Sequence, residues 1–93
     1  MLRLPHKTGF VLLEPNESLV FRSKSELVEH LETVFGELKH QGVSTEELEE
    51  WTERRKAFEI DMRSDEWVAK ELPWNELWKL LAVRIIKNRK IQL

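Results

Sequence analysis

Between Ser23 and Gly42 the apolar side chains return every three or four positions, and both ends of the stretch are marked. Leu27, Val28, Leu31, Val34, Phe35 and Leu38 fall within roughly 120° of arc on a helix that turns about 100° per residue. Glu29, Glu32, Thr33, Glu37 and His40 take the other side. Ser23-Lys24-Ser25-Glu26 is a capping box, in which the serine hydroxyl accepts from the amide three residues on and the glutamate reaches back. Gly42 is a natural stop, because glycine takes the left-handed conformation that ends many helices. An amphipathic helix over about 24–40 is therefore predicted. One apolar stripe must be buried against another layer, and the rest of the chain has to provide it.

With 93 residues, the chain is read as a single small domain spanning 1–93. Before the helix, Leu2–Leu4 suits a short strand limited by Pro5, and Gly9–Leu13 is an apolar run of strand length. Glu14-Pro15-Asn16-Glu17 reads as a turn and Ser18–Arg22 as the return strand, which makes a β-hairpin of 9–22. An isolated hairpin is marginal in water, so it has to pack on something.

After Gly42, Ser44-Thr45-Glu46-Glu47 is a second capping box, with Glu46, Glu47, Glu49 and Glu50 at the positive end of the helix dipole. Leu48, Trp51, Phe58 and Met62 form a narrow apolar stripe with Arg55 inside it, and the predicted helix runs over 45–62. Phe58, Ile60 and Met62 also alternate with Glu59, Asp61 and Arg63, which is the strand period. Ser64-Asp65 opens a short helix of about 65–71 anchored by Trp67. Pro73 stops it and suits the first position of a helix over about 74–89. On that last helix Trp74, Leu77, Trp78, Leu81 and Ile85 form one face, and Leu80, Val83 and Ile86 fall outside it. Ile91–Leu93 is read as an edge strand or a frayed end. The expected class is α+β and mostly helical: an N-terminal hairpin followed by three main helices and one short one.

Charge is unevenly placed. Residues 26–53 carry nine acidic side chains and one basic, whereas residues 77–93 carry five basic and none acidic. The two segments either attract each other within the fold or meet a charged partner. The absence of cysteine excludes disulfides, thiolate metal sites and a cysteine nucleophile. Met1 is followed by Leu-Arg-Leu-Pro rather than a long apolar run, so no signal peptide is expected, and no stretch approaches the ~20 apolar residues of a membrane span. The expected location is cytoplasmic.

No catalytic motif stands out, and the chain is read as a non-enzyme without cofactor or metal. His6, His30 and His40 are scattered; Glu26 and His30 share a helix face, but two ligands do not make a metal site. The three glycines, Gly9, Gly36 and Gly42, are isolated and form no phosphate loop. Gly42-Val43-Ser44 between two helices resembles the turn of a DNA-binding helix-turn-helix over about 24–56. Its recognition helix would open with four glutamates aimed at phosphates, and Glu37 stands where an apolar residue is usual. Arg84, Lys87, Arg89 and Lys90 are a second nucleic-acid candidate, although cations at a helix C-terminus also serve the dipole.

Four tryptophans and no tyrosine are unusual in so short a chain. Trp74 and Trp78 are expected in the core, and Trp51 at its edge. The candidate protein interface is Trp51, Arg55 and Phe58 together with Leu80, Val83 and Ile86. The functional expectation is a small soluble intracellular protein–protein interaction module, regulatory or adaptor in kind, whose partner is another protein or a second copy of itself. The alternative is a nucleic-acid-binding regulator. No membrane and no small-molecule substrate are expected.

Overall fold

The computed structural model describes residues 7–90, with the side chains of residues 85 and 87–90 outside the description. The strand expected at Leu2–Leu4 and the edge strand expected at Ile91–Leu93 lie outside the described residues. The elements are β1 (Thr8–Leu13), β2 (Ser18–Phe21), α1 (Lys24–His40), α2 (Thr45–Glu53), β3 (Lys56–Asp61), β4 (Val68–Leu72) and α3 (Trp74–Lys90). The strands make one antiparallel sheet in the order β2-β1-β3-β4.

The class is α+β, but the expected arrangement of a hairpin and then only helices is overturned. The Glu14–Glu17 turn closes with the Glu14 N–H donating to the Glu17 carbonyl at 2.8 Å, and it joins β1 to β2. That pair is half of a larger sheet, because β1 also pairs with β3 along its other edge, from Thr8–Asp61 to Leu13–Lys56. The helix expected over 45–62 is two elements. α2 stops after Glu53 with Arg54 as its cap and no cation in its last turn. The strand-period alternation from residue 57 onward then prevails, because pairing satisfies the backbone of β1 on the side that β2 leaves open. The short helix expected over 65–71 is replaced by a bend and β4, which pairs with β3 from Asp61–Val68 to Ala57–Leu72. Trp67 is 71% exposed and anchors nothing.

Opposed residues in an antiparallel sheet point to the same face. Leu19, Leu12, Ala57 and Leu72 form one such row across all four strands. The helices lie against this face. Leu27 and Leu31 of α1 and Leu77 of α3 close a core with Leu12, Ala57 and Leu72, edged by Phe10, Phe21, Phe35, Trp51 and Trp74. Each fully buried leucine contributes about 2 kcal/mol of transfer free energy. The opposite face carries Val11, which is buried, between the half-buried Val20 and Phe58.

Both serine caps form. Ser23 and Ser44 accept from the amides of Glu26 and Glu47, each at 3.2 Å. Ion pairs tie α1 to α3: Lys24 to Glu76 at 3.6 Å, and Arg84 to Glu32 at 3.2 Å and Glu29 at 3.8 Å. Part of the charge separation along the chain is thus neutralised within the fold. Among the described residues no helix is long and apolar enough to cross a membrane.

Candidate functional site: an aromatic groove between the helices

Phe35, near the end of α1, is the centre of an aromatic cluster. Its ring stacks on Trp78 with centroids 4.7 Å apart, and Trp51 meets it edge-on at 5.1 Å. Trp74 completes the group at 5.9 Å from Trp51 and 6.2 Å from Trp78. Such pairs add about 1 kcal/mol each beyond the area they bury. All four rings are half-buried, so Trp74 and Trp78 form the edge of the core rather than its centre. The Trp74 indole Nε1 donates to the Arg55 carbonyl at 3.1 Å. The Arg55 guanidinium lies 4.1 Å above the Trp51 ring and pairs with Glu14 at 2.7 Å.

A groove of about 320 Å³ runs beside this cluster where α1, the Gly42 turn, α2 and α3 converge. Its apolar lining comes from Phe35, Leu38, Val43, Leu48, Trp78 and Leu81. The turn places it: Gly42, at φ 78°, reverses the chain after α1, and the Val43 N–H donates back to the Leu38 carbonyl at 3.1 Å. A second depression adjoins it through Leu38 and Val43, and its charged lining is Glu47, Glu50, Arg54 and Arg55. On α2 the glutamates at 46, 47, 49, 50 and 53 are exposed, and Leu48 and Trp51 turn inward. Among the described residues Glu46, Glu49, Glu50 and Glu53 make no ion pair. The groove therefore has an apolar floor, with Lys39 its one charged lining residue, and it borders the acidic outer face of α2.

The six residues expected to form one interface are dispersed. Trp51 and Arg55 belong to the aromatic cluster, and Phe58 lies on the sheet face away from the helices. Leu80 is half-buried on α3, whereas Val83 and Ile86 are 51% and 65% exposed. Of the basic residues on α3, Arg84 is engaged by Glu29 and Glu32, and the side chains of Lys87, Arg89 and Lys90 lie outside the described residues. The helix-turn-helix expected over about 24–56 has its corner, but the face that α2 turns outward is acidic. Among the described residues no three histidine, aspartate or glutamate side chains are grouped to hold a metal.

Sequence reasoning missed Leu38, Val43 and Leu48 as a surface. The available signal was in α2: with nine residues, the helix has Leu48 and Trp51 as its only large apolar side chains, too few to seal the end of α1. The chain matches no family model, no curated protein and no solved structure.

Proposed function

We propose that this chain is a protein-interaction module and that the groove between α1, α2 and α3 takes an amphipathic, cationic helix of a protein partner. The observation that carries this reading is the apolar floor of Phe35, Leu38, Leu48 and Trp78 beside α2, whose outer face exposes Glu46, Glu47, Glu49, Glu50 and Glu53. Helices dock into such grooves through apolar side chains spaced three and four apart. Aromatic residues in a groove supply large contact area with little rotamer entropy to lose. The glutamates speed encounter with a cationic helix and set its orientation more than they add affinity.

The test is a titration, followed by tryptophan fluorescence, with a model helical peptide of leucine and lysine at amphipathic spacing and with a scrambled peptide of equal composition. Saturable binding of the first and not the second is expected, with loss of about tenfold or more in affinity for Leu48→Asp. Equal binding of both peptides, or none, contradicts the reading.

A further inference from the structure

The apolar surface of the groove does not end at the groove. Trp78 and Ala82 line it, and Ile86 follows at the same spacing of four, so all three lie on one side of α3 on successive turns. Ile86 is 65% exposed and Val83, beside it, 51%. The first half of α3 thus builds a groove, and the second half presents an apolar stripe of the kind the groove accepts. The charges agree with this. Residues 77–93 hold no acidic side chain and five basic ones, of which Arg84 is paired within the chain, and α2 beside the groove exposes five glutamates.

We infer that the helix the groove receives is α3 of a second copy of this chain. Two copies related by a twofold axis lay their α3 helices antiparallel, and Val83 and Ile86 of each sit over Leu38, Leu48 and Trp78 of the other. A helix of 17 residues is about 25 Å long, so each half spans some 12 Å. The contact is the same patch on both copies, so it closes at the dimer and leaves no open end for a filament. The same exchange covers the two exposed apolar side chains of α3, which no described element of the monomer covers.

The inference rests on the groove being a helix-binding site, and the test separates the two. Sedimentation velocity on the full chain, over a wide concentration range and at low and high salt, is expected to show a monomer–dimer equilibrium that weakens with salt. Ile86→Asp, an exposed change that circular dichroism will show to leave the fold intact, is expected to raise the dimer dissociation constant by about 100-fold. Leu48→Asp does the same from the groove side, and mixing the two variants does not restore full association, since each symmetric dimer needs both halves twice. A monomer at every concentration that still binds the amphipathic peptide overturns the second copy as occupant and leaves the groove. A monomer that binds no such peptide removes both. A dimer indifferent to Ile86→Asp and to Leu48→Asp overturns the inference by placing the interface elsewhere.

Discussion

Arg55 joins parts of the chain 41 positions apart. Its Nε donates to Glu14 at the end of β1, its Nη1 donates to the Trp51 carbonyl at 3.1 Å, and its own carbonyl accepts from Trp74. Both members of the ion pair are only 17% exposed, so water screens it weakly. Arg55→Ala removes the pair and the guanidinium above Trp51, and is expected to lower unfolding free energy by about 2 kcal/mol. Glu14→Gln keeps one acceptor and is expected to cost about 1 kcal/mol. Urea denaturation of both variants checks the order, and a larger loss for Glu14→Gln contradicts it. At the β3–β4 bend, Arg63 donates to both carboxylate oxygens of Asp61 at 3.0 and 2.8 Å, and its amide donates to the same group. These bonds lower the Asp61 pKa from 3.8 to about 2, and the same partner raises that of Arg63. A depressed carboxylate stabilises the fold above its unfolded pKa, and that contribution is lost as pH falls from about 4 through 2. Carbon-detected NMR titration is expected to place the Asp61 midpoint near 2, and a midpoint near 4 would show that the bend does not hold the pair.

The elements show where local signals suffice. α1 is legible because its stripe, its serine cap and its glycine stop all agree, and α3 because Pro73 precedes a long periodic run. Residues 54–62 are ambiguous alone: Phe58 and Ile60 fit a strand, and the stripe from Leu48 to Met62 fits a helix. The decision comes from outside, from the edge of β1 that six residues of β3 pair with. β4 has weaker local signals still, since Val68, Ala69, Lys70 and Glu71 are all exposed and only Leu72 is buried. Its strand form depends on pairing, which no short window of sequence contains. The groove was hidden for a related reason: Leu38 and Leu48 each look like ordinary core positions until α2 is known to be short. Two glycines give a test at this scale. Neither has an atom within 4 Å of where a Cβ would stand, so space plays no part in the comparison. Gly42 has φ 78°, and Gly42→Ala is expected to destabilise by about 1 kcal/mol. Gly36 is an exposed position inside α1, and Gly36→Ala is expected to stabilise by about 0.5–1 kcal/mol. Thermal unfolding of both variants reads the two signs, and equal effects would contradict the turn assigned to Gly42.

At the scale of the whole molecule, the sheet is the floor, three helices lie against one face, and the aromatic cluster binds them together at one end. The molecule measures 48 × 31 × 19 Å, longer than a sphere of its size. α3 is unevenly enclosed, with Leu77 and Leu81 buried and Val83 and Ile86 exposed. The central claim is that the exposed half of α3 in one copy lies in the groove of another. Since the chain has no cysteine, single cysteines report that contact without background. Leu48→Cys chains mixed with Ile86→Cys chains under mild oxidation bring the two labelled positions together only between copies. The account predicts rapid formation of a covalent species of twice the chain mass in this mixture, well ahead of a control mixture of Trp67→Cys with Ile86→Cys. Cross-linking of the two mixtures at the same slow rate would contradict it.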